Sequence, residues 1–556
     1  MNRINILSVL LLLLPGSMKA QMATFHYFCY QGEDVRFQQP INKNREYFNP
    51  IIAGFHPDPS FCKAGDTYYL VNSSFSYFPG VPIYESKDLI HWWQIGHVLD
   101  RISQDPLDHQ NVSGGIFAPA ISYNSSNKTF YMITTNVGKG NFFVKTKNPE
   151  KGWSDPIYLP QIDGIDPSFF FDRDGQGYIV HNAPVCGTAA YEGQRAIRIF
   201  RFDVEGDSII GKPKEIIRGG THVDKHPVWI EGPHLYRIGK YYYLMCAEGG
   251  TGTNHSEVIF RARHPMGPWE EDPENPILTQ REGVDPDRAD RVTSTGHADL
   301  LESKSGDWWA VFLGCRPYRG DLYNTGRETF LLPVTWKNGW PVILKRGKAI
   351  PTVNEMHPWQ WKITAAKTIP VTGNFTFRDD FHGQKLNPCW TFLRNPSSFY
   401  TLGQDGLKIS ALPVAIWQDD SPSALFYRQQ HTTFNAETEV VFSPENDKQF
   451  AGFCLFQNEQ YNFTFGKTEI NNRLAILLTR TEMKPVTIAT VFIDAKDADM
   501  PVKLKIHGEG QYYDFYYSLG NGKWKVLARG VDASNLSTHE SGGFVGAMIG
   551  LYASKK

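Results

Sequence analysis

At 556 residues, with 41% hydrophobic and 14% aromatic residues, 49 Gly and 35 Pro, the chain is long enough for two folded units and too apolar to be disordered. Lys and Arg (56) nearly balance Asp and Glu (58); the net charge is −2 and no basic stripe marks a nucleic-acid binder, so a neutral partner fits better. Seven scattered Cys without Cys-x-x-Cys spacing argue against a zinc site or a disulfide framework.

The N-terminus carries Arg3, an apolar run from Ile4 to Leu14 too short to span a bilayer, then Pro15, Gly16 and Ser17, with Ala20 before Gln21. This predicts a secretory signal peptide over 1–20, although Met18 is larger than the usual small residue. No Cys follows closely, so no lipid anchor is indicated, and no later run is apolar enough to cross a membrane. The expected location is outside the cytoplasm, periplasmic or secreted. Residues 21–46 form an N-terminal extension for which the sequence offers no role.

From 47 to 350 one pattern recurs five times. It opens near Pro or Ala, passes a polar turn and ends in an aromatic strand. The copies run from Asp58-Pro59-Ser60 to Tyr68-Tyr69-Leu70, from Ala118-Pro119-Ala120 to Phe130-Tyr131-Met132, and from Asp166-Pro167-Ser168 to Gly177-Tyr178-Ile179. Glu231-Gly232-Pro233-His234 to Tyr241-Tyr242-Tyr243-Leu244 and His297-Ala298-Asp299 to Trp308-Trp309-Ala310-Val311 complete the set. Turns such as Ala64-Gly65-Asp66 and Arg173-Asp174-Gly175 supply residues that tolerate positive φ. A repeat of roughly sixty residues built from short strands predicts a five-bladed β-propeller, the plain alternative being a two-sheet sandwich. In a propeller the opening residue of each blade faces the central axis, which would bring Asp58, Asp166, Glu231, His297 and Ala118 to one pocket. Residues 351–370 read as a connector. From 371 to 556, alternating strands such as Glu437 to Phe442 and Lys503 to His507 predict a β-sandwich. The fold class expected is therefore all-β.

Cleaving a glycosidic bond takes one carboxylic acid to protonate the leaving oxygen and a second, ionised carboxylate. Glu231, flanked by Trp229-Ile230 and Gly232-Pro233, suits the acid, because an apolar wall disfavours its charged form. Asp58, stiffened by Pro57 and Pro59, suits the base. Asp166 is a third carboxylate whose charge would help keep Glu231 protonated. His297 could bind substrate, water or a cation, or be structural. Arg327 could give sugar hydroxyls a planar pair of hydrogen bonds, or form a surface ion pair with Glu328. Phe75, Tyr77, Phe78 and Phe117 are candidate pocket walls, with aromatic packing an equally good explanation. No Gly-x-Ser-x-Gly elbow, phosphate loop, His-Glu-x-x-His or dinucleotide fingerprint is present.

The sequence resembles glycoside hydrolase family 43. The resemblance rests on Gly54-Phe55-His56-Pro57-Asp58-Pro59-Ser60, on Phe78-Pro79-Gly80-Val81-Pro82-Ile83 followed by Ser86-Lys87-Asp88-Leu89, and on Asp166-Pro167-Ser168. Glu231-Gly232-Pro233-His234-Leu235-Tyr236, Gly296-His297-Ala298-Asp299-Leu300 and Gly326-Arg327-Glu328-Thr329-Phe330 add to it. The resemblance implies an exo-acting, inverting enzyme of the two-domain β-xylosidase and α-L-arabinofuranosidase subgroup. It makes Asp58 the general base, Glu231 the general acid, Asp166 the residue that tunes and orients the acid, and Arg327 a sugar ligand. It puts His297 near the axis, where relatives often hold a water or a structural calcium; the chemistry needs no cofactor. The substrate implied is an oligosaccharide or polysaccharide, a hemicellulose such as xylan, arabinoxylan or xyloglucan, with a slight lean toward arabinofuranose. Phe117 departs from the Trp common at its position. Two alternatives carry different expectations: a retaining five-bladed fructan hydrolase, whose nucleophile motif is not found, and a non-catalytic carbohydrate-binding propeller.

Overall fold

The computed structural model describes residues 21–361 and 369–556, so the expected leader over 1–20 lies outside the described residues. The fold is all-β: the only α-helix among the described residues is the four-residue Thr538–Ser541. Between Ser60 and Val342 the chain makes five successive antiparallel sheets, each a meander of neighbouring strands. The first strands of these sheets are β2 (Ser60–Ala64), β3 (Ile116–Asn124), β4 (Ile165–Phe171), β5 (Glu231–Ile238) and β6 (Thr293–Glu302), with β1 kept for the strand Met22–Gly32 described below. Each packs on the next, β2 on β3, β3 on β4, β4 on β5 and β5 on β6, and β6 returns to β2, so the five inner strands close a ring. Large aromatic and β-branched residues fill the space between adjacent sheets. Tyr131, Phe143, Phe169, Phe200 and Phe202 share one such layer between the second and third.

The five inner strands share a backbone device. Asp58, Ala118, Asp166, Gly232 and His297 all have positive φ (50°, 31°, 55°, 54° and 51°), and in the first four of these the next residue is Pro. The pairing register shifts just there in β3, β4, β5 and β6. A bulge with a left-handed residue turns a strand and re-aims its side chains, at a strain of about 1–3 kcal/mol per non-glycine residue. The device corrects one sequence expectation. The fourth sheet's residue at this position is Gly232, and Glu231 stands one place before it. Gly232 is needed twice over, because a Cβ there would also sit 2.8 Å from Nε2 of His297.

Two further sheets, of eight and six strands, face each other across a single apolar core that includes Phe434, Phe453, Phe463, Leu504, Phe515 and Ile549. The N-terminal extension finds its place here. Strand β1 sits inside the eight-stranded sheet, paired with β7 (Thr433–Val441) on one side and with Gly406–Ser410 and Thr376–Asp379 on the other. A register shift between Phe25 and Phe28 changes the parity of β1, so that Ala23, Phe25, Phe28 and Tyr30 all enter the core.

The chain leaves β1 through Asp34, whose carboxylate accepts from Arg316 Nη1 at 2.7 Å. The same guanidinium, fully buried, grips both oxygens of Glu328 (2.5 and 2.8 Å) and the Gln430 carbonyl (2.9 Å). One Arg thus ties the extension, the fifth sheet and the two-sheet unit together. This corrects the surface pairing of Arg327 with Glu328: Glu328 is buried and belongs to Arg316. No disulfide joins any of the seven Cys. Among the described residues no helix is long and apolar enough to cross a membrane.

Candidate active site

Asp58, Asp166, Glu231, His297, Arg327, Phe75 and Phe117 all line one cavity of about 380 Å³ at the ring's axis. Ala118, Ile165, Trp229, Gly250, Thr251 and Phe544 complete its wall. Tyr77 and Phe78 do not take part. Tyr77 packs on Phe55 and Phe426, and Phe78 pairs with Phe392 and joins the core of the two-sheet unit.

Three carboxylates meet in this cavity, each less than a tenth exposed, and their surroundings differ. Asp58 accepts a hydrogen bond from Arg327 Nη1 at 3.0 Å and from Ser73 Oγ at 2.6 Å, and His297 Nδ1 lies 3.8 Å away. Burial alone would push its carboxyl up. Arg327, His297 and the Ser73 hydroxyl outweigh burial and hold it below the usual carboxylate range. Ser73 is itself aimed, since its oxygen accepts the Ala118 N–H at 2.7 Å.

Glu231 has no such support. Burial raises its carboxyl well above the ordinary value, and the charges of Asp166 and Asp58 raise it further, against weaker pulls from Arg327 and Arg195. Asp166 is also raised, by burial and by Asp58, while the Gly232 N–H, 3.2 Å away, favours its ionised form. With both carboxyls raised, Asp166 and Glu231 retain a proton where Asp58 has lost its own. The cavity therefore holds an ionised carboxylate and a protonated one together, the two states that acid–base cleavage of an acetal requires.

His297 is buried and driven down to about 4, first by desolvation, so it is neutral at ordinary pH. A calcium takes about six to eight oxygens from carboxylates, carbonyls and waters, and the carboxylates near His297 are already engaged. Asp58 is taken by Arg327 and Ser73. Asp299, near His234, is taken by Tyr236 (2.7 Å), Ser60 (2.8 Å) and the Phe61 N–H (3.0 Å). Among the described residues no group of three or more His, Cys, Asp or Glu is arranged to hold a metal.

Sequence reasoning missed Phe544, Thr251 and Trp229 as pocket residues. Phe544 comes from the two-sheet unit. Its N–H donates to Ser113 Oγ at 2.9 Å, its ring packs on Phe75 and Phe117 at 5.9 and 5.8 Å, and its carbonyl accepts from Arg327 Nη2 at 3.4 Å. The Arg327 guanidinium lies 5.7 Å from the Phe75 ring and 5.6 Å from that of Phe544. Gly326 and Gly546 let the two backbones meet, as a Cβ on Gly326 would fall 2.8 Å from the Gly546 Cα. The signal available was the run Gly542-Gly543-Phe544, a loop sequence with no repeat to place it.

Residues 47–341 match the model of glycosyl hydrolases family 43, and residues 378–556 match that of the beta xylosidase C-terminal concanavalin A-like domain. The chain belongs to glycosyl hydrolase family 43. As a member it is a glycosidase, hydrolysing O-glycosyl bonds. It is 38% identical over 512 residues to a xylosidase/arabinosidase of Butyrivibrio fibrisolvens, covering 91% of this chain and 95% of that one. It is 36% identical to a non-reducing end alpha-L-arabinofuranosidase of Bacteroides ovatus, covering 92% of each. The crystal structure of a GH43_12 retrieved from capybara gut metagenome superposes with a TM-score of 0.89 at 42% identity, over 96% of this chain and all of that one. This family 43 enzyme carries its three acids buried in the wall of that cavity.

Proposed function

We propose that this family 43 enzyme removes a terminal pentose, α-L-arabinofuranosyl or β-D-xylosyl, from a hemicellulose side chain or oligosaccharide, with inversion at the anomeric carbon. The observation that carries the reading is the contrast inside one cavity: Asp58 held ionised by Arg327, Glu231 held protonated by burial and Asp166. Asp58 takes a proton from water as the water attacks the anomeric carbon. Glu231 gives its proton to the departing glycosidic oxygen, so the bond breaks without a free alkoxide. Asp166 keeps that proton on Glu231 and, through the Gly232 N–H, fixes the turn that carries it. Arg327 holds Asp58 and offers its remaining N–H groups to sugar hydroxyls.

Supporting the substrate are the relatives' names, xylosidase/arabinosidase and alpha-L-arabinofuranosidase, and a cavity near the small end of the range of about 300–1,000 Å³ for ligand pockets. That size suits one terminal residue. The lean toward arabinofuranose rests on the Bacteroides ovatus relative, whose solved structure is described as belonging to a xyloglucan locus. The five sheets with their closed inner ring support reading residues 47–350 as a five-bladed β-propeller, followed by a connector at 351–370 and a β-sandwich at 371–556, with 21–46 lending that sandwich a strand. An exported enzyme, cleaved after a leader at 1–20, fits a polymeric substrate that cannot enter the cell. Incubation with chromogenic α-L-arabinofuranoside and β-D-xyloside tests the reading. Release from at least one is expected, faster from the arabinofuranoside; faster xyloside turnover reverses the lean, and release from neither refutes the function.

A further inference from the structure

Trp229 is the most exposed residue of the cavity wall. Phe75, Asp58, Glu231, His297 and Arg327 are buried, whereas Trp229 is 42% exposed at the cavity's edge, beside Gly250 and Thr251. The deep end therefore holds the acids and Trp229 stands at the mouth.

Its placement is fixed from several sides. Trp229 has φ +53°, a conformation a bulky residue rarely adopts. Its N–H donates to the Gly193 carbonyl at 2.9 Å, and the preceding Val228 carbonyl accepts from Gly249 at 2.9 Å. The following Ile230 carbonyl accepts from Asn182 Nδ2 at 2.6 Å. Asn182 is in turn held by Arg195, through Nε at 3.1 Å and Nη2 at 2.6 Å, and the Arg195 guanidinium lies 5.2 Å from the centre of the Trp229 ring. A large apolar ring, backed by a cation, tied to two sheets and 42% exposed among the described residues, is a preorganised surface open to a ligand.

We propose that Trp229, backed by Arg195, is the platform on which the leaving-group sugar stacks, which makes it the residue that favours a sugar leaving group over a small alcohol. The inference rests on the pentosidase reading above. The terminal sugar fills the buried end beside Asp58, and Glu231, two residues along from Trp229, must reach the glycosidic oxygen between the two rings. The group beyond that oxygen then emerges at the mouth, over the indole. Sugar C–H faces pack on an indole, and a rigid side chain with two torsions loses little freedom in doing so.

The test compares two glycosides of the same pentose whose leaving groups both need a proton, a methyl pentoside and a pentosyl disaccharide, and reads how the ratio of their rates changes in the variants. The unaltered enzyme should show a much higher kcat/KM on the disaccharide. In Trp229→Ala the disaccharide-to-methyl ratio should fall by about tenfold or more, and in Trp229→Phe by a smaller amount, because part of the platform survives. Equal losses on both glycosides in Trp229→Phe, or an unchanged ratio in Trp229→Ala, overturn the platform while leaving the pentosidase reading in place. No pentose from either glycoside with the unaltered enzyme sinks both.

Discussion

The two sides of the pocket use equal burial for opposite ends. On the side of the first and fifth sheets, Asp58 is surrounded by Arg327, His297 and the Ser73 hydroxyl, and its charge is stabilised. On the side of the third and fourth, Asp166 and Glu231 meet with only the Gly232 N–H and the more distant Arg195 to help, and a proton is retained. Burial by itself pushes every carboxyl up; the placement of the two arginines, Arg327 against Asp58 and Arg195 farther from Glu231, decides which one escapes. Acid and base are therefore properties of the neighbours, and changing neighbours should change roles in a known direction.

The largest effect should come from Asp58→Asn, which keeps the shape and removes the base. We expect kcat to fall by about 10³- to 10⁴-fold, and a rate within a few-fold of the parent would remove Asp58 from the mechanism. Glu231→Gln should cost about 10²- to 10⁴-fold on sugar leaving groups and much less on activated aryl glycosides, whose departure needs no proton. Equal losses on both classes would mean Glu231 is not the acid.

Asp166→Asn sharpens the contrast through pH. With Glu231 held high, activity should persist above the usual carboxylate range and fall as Glu231 loses its proton. Removing the Asp166 charge makes that loss easier, so the basic limb of kcat/KM should move to lower pH. The acid limb, set by Asp58 below the usual range, should move little. A basic limb that stays in place would assign the proton elsewhere. The smallest effect tests the two-sheet unit: Phe544→Ala removes one wall and an aromatic face for Arg327, and should raise KM by about tenfold or less with a lesser change in kcat.

Much of this was legible in the sequence because the acids sit in a repeat. Asp58-Pro59-Ser60 and Asp166-Pro167-Ser168 mark the same left-handed turn before Pro in two sheets, and the apolar neighbours of Glu231 and the charge of Asp166 pointed to the direction in which Glu231 is shifted. The one-residue offset that sets Glu231 before Gly232 was not legible, since it depends on which residue takes the positive φ. Strand β1 was hidden for a different reason. Its bulge breaks the alternation between Phe25 and Phe28, and its main partner β7 lies some four hundred residues away. Phe544 and Trp229 are loop residues whose positions are set by contacts across sheets, such as Ser113 with Phe544 and Gly193 with Trp229.

The account's central claim is that one buried carboxylate activates water while another gives up a proton, in a single displacement. Following the anomeric protons of the released pentose by NMR in the first minutes of hydrolysis, before mutarotation, tests this most directly. The first-formed sugar should have the anomeric configuration opposite to that of the substrate; a first product of unchanged configuration would contradict the account.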